Sequence, residues 1–554
     1  MSDVTADVVI VGSGAGGSAA AWALTMQGLD VVVLEAGPRY DFVTDYKLDQ
    51  PDWEQTGFPE KVPTATRQTF GPMQALEAEW DDLRSWNHIR GRRNPGTHRS
   101  TVGGYKHVVG VGGSTLYFTG EYHRMNPAAM RMRSDHGVAA DWPVSYGDLE
   151  AHYDRAERLV GTSGSAADRS RPRATPFPLP ELPMSFATRR LRAGFEALGW
   201  TFHANPLAVL SQPYDARPSC NFCGNCNRGC PRGDKGTADI TFLRHAEATG
   251  RCRVISGARV QRLETDRAGR VSGAIFRRGE GGEVRATAPV FVVACGAVET
   301  PRLLLNSAPG GLANGSGQVG RNFMETLAWT SIGLADAPLG SHRGHPSDGI
   351  CWDFNAPDAV PGTVGGFRMT PATAEANLVG PINYAARVVG GFGLDHKAEM
   401  RRKFGRALGV GAFGESLPNP RSFIDLDPEA RDADGVPKAR IHSHLGRSEL
   451  VRLRAMASHC RRVLQAAGIT ELIEESGTYD EFGSSHVFGT CRMGTDPESS
   501  VVDAWGQSHE IPNLFVADAS VFPSSGGGES PALTVSALAI RTADRIASMS
   551  SDTL

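Results

Sequence analysis

Apolar positions along this chain fall into short runs. Val8–Val11 is uniformly apolar, as suits a strand buried on both faces of a parallel sheet. Ser18–Met26 carries the small and apolar residues of a closely packed helix. A second apolar run, Val31–Leu34, ends in Glu35 and completes a strand–helix–strand unit. Leu514–Ala517 reads as a further buried strand with Asp518 at its carboxyl end, and Ser422–Leu426 is strand-like. Ser448–Ala467 has the period of an amphipathic helix, while Ser163–Arg173, rich in Ser, Ala and Arg, reads as a flexible connection. No apolar run reaches the ~18 residues of a membrane span. Buried strands alternating with helices predict an α/β fold.

The turn inside the first unit adds chemistry. Gly12, Gly14 and Gly17 form G-x-G-x-x-G between strand and helix. Gly12 permits the tight turn, Gly14 lets backbone approach a pyrophosphate, and Gly17 lets the helix press on the sheet. The helix N-terminus offers free N–H groups to phosphates. Glu35 stands where a carboxylate accepts hydrogen bonds from ribose hydroxyls, which argues against a 2′-phosphate and so against NADP. The motif alone does not separate FAD from NAD.

Composition narrows the class. The 554 residues include 57 Lys+Arg and 61 Asp+Glu, a net charge of −4, which excludes the basic surface of a nucleic-acid protein. Hydrophobic residues at 40% and charged residues at 21% describe a globular chain, and the length suits two to four domains at about 100–200 residues each. The acidic Met1–Ala6 lacks a basic n-region, so no secretory signal is read and a cytoplasmic location is expected.

Of 9 cysteines, Cys252, Cys295, Cys351, Cys460 and Cys491 stand alone and read as small buried hydrophobes. Cys220, Cys223, Cys226 and Cys230 form C-x2-C-x2-C-x3-C-P, the spacing of a bacterial ferredoxin run. An iron–sulfur cluster, reduced structural thiols and zinc are the three readings. Zinc is the least natural, because zinc ribbons separate their knuckles by about 15–20 residues.

Further blocks carry a resemblance. VGVGGSTLYFTG at 109–120, DWPVSYGDLEAHY at 141–153, Gly257–Val260, CGAVETPRLLL at 295–305, HVFGTCRMG at 486–494, SVVD at 500–503 and NLFVADASVFP at 513–523 are similar, in order, to the glucose–methanol–choline (GMC) family of FAD-dependent oxidoreductases. The resemblance implies a discontinuous Rossmann-like FAD-binding domain over 1–40, 100–140, 205–330 and 481–554. It implies an α+β substrate-binding domain over 41–99, 141–204 and 331–480. Gly112, Gly113 and Ser114 would close over flavin and pyrophosphate, Val260 would meet adenine through its backbone, and Asp518 would lie near the ribityl–phosphate portion.

His486 occupies the position of the family's active-site histidine. The implied activity is oxidation of an alcohol on a sugar, glycoside, polyol or sterol-type substrate, with hydride to flavin N5 and the hydroxyl proton to His486. The chain departs from the family at GGGESPALT. Ser530 stands where an Asn is usual, which makes it the candidate second catalytic residue, and Glu529 before it is an alternative acceptor. Met324-Glu325-Thr326 stands where relatives often carry a histidine, and Glu415 is a further acidic candidate near the substrate.

Cys220, Cys226 and Cys230 also match the spacing of family sugar dehydrogenases that carry a [3Fe–4S] cluster. A cytochrome or quinone acceptor is therefore favoured over oxygen. An oxygen-using oxidase, and a lyase or photodecarboxylase on the same scaffold, are the alternatives. Arg90, Arg92, Arg93 and Arg99 read as a solvated loop, with an acidic-substrate patch as the other reading.

Overall fold

The computed structural model describes residues 4–46, 48, 50, 53–54, 61–62, 67–101, 104–279 and 281–549. The outermost parts of the expected segments, 1–3 and 550–554, and much of 47–66 within the 41–99 segment, lie outside the described residues.

A five-stranded parallel sheet runs in the order Cys252–Ser256, Val31–Glu35, Val8–Val11, Val290–Val293, Leu514–Val516. The last three are buried throughout, as continuous Val/Ile runs require when helices cover both faces. The helix Ala15–Thr25 packs on the C-terminal helix Ala532–Ser548. It also presses close on the strand ends of the sheet because Gly16 and Gly17 have no side chains. A Cβ at Gly16 would lie 1.7 Å from the Ala517 carbonyl oxygen, and one at Gly17 would lie 2.0 Å from that of Gly12.

A six-stranded antiparallel sheet forms the second body, in the order Phe367–Pro371, Ala407–Gly414, Leu327–Leu334, Glu471–Gly477, Trp86–Asn87, Gly91–Arg92. The helix Arg447–Ala466 covers one face with Leu453, Met456, Ala457, Cys460, Val463 and Leu464, matching the amphipathic period of its sequence. Strand alternation then divides the residues. Leu327 and Trp329 enter this core, while Ala328 and Thr330 face a cavity between the two sheets. No helix among the described residues is long and apolar enough to cross a membrane.

Two expectations change. The helix Tyr146–Val160 packs on Ala532–Ser548, and its Leu149, Tyr153, Ala156 and Val160 join the core of the parallel sheet. The start of 141–204, expected on the substrate side, thus packs with the parallel sheet. Ser163–Arg173 is no flexible connection either. Ser163 pairs with Leu179 and Leu207, and Arg173 is held by the buried carboxylate of Glu157. Polar composition suggested solvent, but these groups spend their polarity on one another.

Candidate active site

A cavity of about 790 Å³ opens at the carboxyl ends of the parallel strands and extends under the antiparallel sheet. Gly12, Glu35, Cys295 and Asp518 follow or end four of those strands and line it, the place where α/β folds hold ligands. Gly12 turns the chain at φ +97°, which a side chain would strain. A Cβ on Gly14 would meet nothing within 4 Å and would project into open space. The helix that follows has no side-chain cap, so its first N–H groups are available to a ligand. Gly17 lies beneath, in the helix–sheet contact, and does not line the cavity.

Glu35 is fixed for its task. Its Oε2 accepts from the Ser13 N–H at 3.1 Å and hydroxyl at 2.6 Å, and its Oε1 accepts from the Gly37 N–H at 2.9 Å. Burial pushes its carboxyl above the ordinary range, and these donors oppose the shift. Gly112 (φ +104°) and Gly113 (φ +55°) bring the second glycine loop onto the first, so that a Cβ on Gly113 would lie 2.8 Å from the Gly14 Cα. Gly113 and Ser114 line the cavity; Gly112 shapes the turn without lining it. Val260 lines the same end. Asp518 accepts from the Gly296 N–H at 2.9 Å, the Thr300 hydroxyl at 2.6 Å and the Ser520 N–H at 2.8 Å, which ties the strand end to the helix Gly296–Ser307.

His486 and Ser530 line the same cavity. Among the described residues no hydrogen-bond partner engages the His486 ring. Burial and the positive charge of Arg368 hold its pKa down at about 4, against the pull of Glu121, so the ring is neutral at physiological pH. The Ser530 N–H donates to His123 Nδ1 at 3.0 Å, and His123 Nε2–H donates to Asn205 Oδ1 at 2.8 Å. That pair of bonds fixes one neutral tautomer, in keeping with a pKa that burial lowers to about 3. Asn205 and Ser347 donate in turn to Glu121, whose carboxylate forms a two-point pair with Arg368.

Three of the acidic candidates land elsewhere. Glu529 does not line the cavity: its Oε1 accepts from Arg171 at 2.5 Å and from Asn355 at 3.0 Å inside the protein. Glu415 is fully buried off the cavity, and burial with its neighbour Glu529 pushes it up to about 8. Glu325, in place of a histidine, is buried against Arg99 at 2.8 Å, so Arg99 is not part of a solvated patch.

The cysteines fare differently from a metal site. Cys220, Cys223, Cys226 and Cys230 line one small cavity with Asp234 and His345. Among the described residues, however, no three His, Cys, Asp or Glu side chains are arranged to hold a metal ion. Burial pushes Cys220 up to about 12 and Cys226 well above its ordinary value, and the Cys230 thiol donates to Asp234 at 3.3 Å. The donor set as folded does not fit a cluster. Of the solitary cysteines, Cys351, Cys460 and Cys491 are buried, whereas Cys295 lines the main cavity.

Family models for GMC oxidoreductase match residues 100–328 and 418–539, and a model for an NAD(P)-binding Rossmann-like domain matches 10–42. The chain belongs to the GMC oxidoreductase family. It is 31% identical to 2-methyl-1,2-propanediol dehydrogenase of Mycolicibacterium austroafricanum over 99% of its own length and 96% of the relative's. It is also 31% identical to the fructose dehydrogenase large subunit of Gluconobacter japonicus, covering 98% of each chain. Pyridoxine 4-oxidase from Mesorbium loti shares the fold, with a TM-score of 0.60 at 20% identity over 97% of this chain and 98% of that one. This GMC oxidoreductase is thus an FAD-dependent enzyme acting on CH–OH groups. The open space beyond Gly14, the uncapped helix and the poised Glu35 fit the dinucleotide part of FAD.

Sequence reasoning missed Arg67, His107, Glu121, Arg368 and Glu375, all of which line the cavity. His107, held down at about 4 by burial, sits five residues before Gly112 and was within reach of a local reading. Glu121 and Arg368 had no such signal, since their meaning is a pairing across 247 positions.

Proposed function

We propose that this GMC oxidoreductase oxidises an alcohol on a sugar, glycoside, polyol or sterol-type substrate to the carbonyl, with His486 taking the hydroxyl proton and an acceptor other than oxygen taking the electrons onward. The observation that carries the reading is the neutral, unengaged ring of His486 in the cavity that begins at the G-x-G-x-x-G turn. FAD, when bound, supplies the two-electron acceptor for the hydride of the carbinol carbon. Gly14, the helix N-terminus, Glu35, Ser114 and Val260 would hold the nucleotide, with Asp518 toward its middle. His486 in its neutral form accepts the hydroxyl proton as the carbonyl forms. Ser530, its backbone fixed by His123, presents a short hydroxyl that can donate to the developing oxyanion where relatives use a longer amide.

The acceptor reading is supported by the two dehydrogenase relatives rather than by the cysteines, through which no electron path is drawn. One of those relatives is named a large subunit, which suits a partner subunit that carries electrons onward. Stopped-flow reoxidation of the alcohol-reduced enzyme tests the reading. Ferricyanide or a quinone should restore the flavin band much faster than air-saturated buffer does; fast reoxidation by oxygen makes the enzyme an oxidase. If no alcohol bleaches the band under anaerobic conditions, the oxidative reading falls.

A further inference from the structure

Large apolar side chains at the surface are few, and three of them gather in one place. Among the described residues Phe392 is 91% exposed, Leu394 82% and Ile89 42%. Ile89 lies beside the segment that carries the other two, since a Cβ on Gly390 would stand 3.9 Å from its Cδ1. Asn87 donates to the Arg387 carbonyl at 3.0 Å and holds the two segments together. The turn around Phe392 is built to project. Gly391 (φ +84°) and Gly393 (φ +67°) take left-handed backbone on either side of it, and a Cβ on either would meet nothing within 4 Å. Phe392 thus tops a glycine-flanked finger with open space around its base. A cluster of this kind left in water marks a contact surface.

The helix that follows, Gly393–Lys403, supplies charge. Met400 turns inward with Phe404 onto the core of Tyr384 and Val388 and anchors the helix. The helical period then places Leu394, Lys397 and Arg401 on one flank, and Asp395 and Glu399 on the other. Glu399 is already taken by Arg402 at 2.6 Å and Lys403 at 3.5 Å. Arg92 meets Asp81 at 3.8 Å and Arg93 meets Glu481 at 3.5 Å, whereas Arg90, Lys397 and Arg401 form no ion pair among the described residues. Segments 88–93 and 390–403 together carry seven basic residues against two acidic ones, in a chain whose net charge is −4. Arg93 is exposed and also lines the main cavity, so the patch adjoins the cavity's rim.

A protruding apolar point ringed by unmatched positive charge suits a surface that is negative outside and apolar just beneath. A protein partner would need a pocket shaped to the finger; a bilayer yields to it. We propose that Phe392, Leu394 and Ile89, with Arg90, Lys397 and Arg401, dock this enzyme reversibly on a bilayer rich in anionic phospholipid. The apolar side chains enter the boundary between headgroups and acyl chains, and the basic ones meet the phosphates. One small apolar anchor holds weakly alone, and the basic patch is the second signal that lasting attachment requires. The docking surface stands apart from the alcohol-oxidising reading and does not depend on it.

The test sediments the FAD-loaded, full-length enzyme with vesicles of phosphatidylcholine alone and of phosphatidylcholine mixed with phosphatidylglycerol. Partition onto the anionic vesicles should exceed that onto the neutral ones by ~10-fold or more, and should fall at ~1 M salt, where screening is nearly complete. F392S/L394S and K397E/R401E should each lose ~10-fold or more of this partition, while F392W, which keeps a large apolar ring, should retain it and shift its emission to the blue on anionic vesicles. Flavin content and melting temperature should match wild type in all three, because the altered side chains lie outside the core and the cavity. Equal partition onto the two lipids, no partition at all, or unchanged partition in either double variant would each overturn the proposal. Self-association that F392S/L394S abolishes, without vesicle binding, would assign the finger to a second copy of this chain and likewise overturn it.

Discussion

At the scale of single residues, His486 is defined by what it lacks. Its ring is buried enough to lose hydration, lies near a guanidinium, and is engaged by no described side chain, so it stays neutral far below the usual imidazole range. The base form should therefore persist into acid. In a kcat/KM profile, the acid limb assigned to His486 should fall near pH 4 rather than near 6.5. H486A should lose ~10²–10⁴-fold in flavin reduction rate while retaining FAD, which the absorbance ratio of the purified protein reports. A limb near 6.5 would mean that the ring is solvated and differently placed. His486 could be read from the sequence because its neighbours in the chain are also its neighbours in the motif. Glu121 could not, because its partner Arg368 arrives from a segment 247 positions away.

At the scale of elements, two glycines separated by a single residue in the same turn do opposite work. Gly16 is pressed against the Ala517 carbonyl, whereas Gly14 faces open space. G16A should therefore weaken the protein itself, by ~1–3 kcal/mol or more, because rigid backbone cannot yield to the new methyl. G14V should leave the apoprotein's melting temperature near that of wild type and cut its flavin content, because only the ligand's space is filled. Thermal unfolding of both apoproteins, with flavin content measured alongside, separates the two effects. Equal destabilisation by both would show that Gly14 is packed rather than open.

Elements were legible where the pattern is local. Val8–Val11, Val31–Leu34 and Ser448–Ala467 form within a residue or two of their expected limits. Ser163–Arg173 was not, since its arginines look solvated until Glu157 of the preceding helix and Glu529 of the C-terminal segment bind Arg173 and Arg171.

At the scale of the whole molecule, the seam between the two bodies contains Glu415. Its carboxyl is fully buried beside Glu529 from the C-terminal loop, with only the Gly526 backbone N–H to oppose the cost of burial from the hydrogen-bonding side. Its folded pKa, about 8, lies above the ordinary 4.5. The folded state therefore holds a proton that the unfolded chain has released between these values. The resulting stabilisation is complete below the ordinary value and is lost as pH rises through about 8. E415Q, neutral at every pH, should match wild type near pH 5 and exceed its melting temperature by roughly 2 °C or more at pH 9. Parallel melting curves across this range would exclude a buried, protonated Glu415.

The order of the parallel sheet has a consequence for how this protein is made. Its central strand, Val8–Val11, leaves the ribosome first, yet its neighbour's outer partner, Leu514–Val516, leaves almost last. A nascent chain must therefore carry a half-built nucleotide cradle, with apolar strand faces uncovered, until translation is nearly over. Pairing at such sequence separation is slow to nucleate and exposed to aggregation. Chaperone supply during synthesis should therefore raise the yield of folded protein.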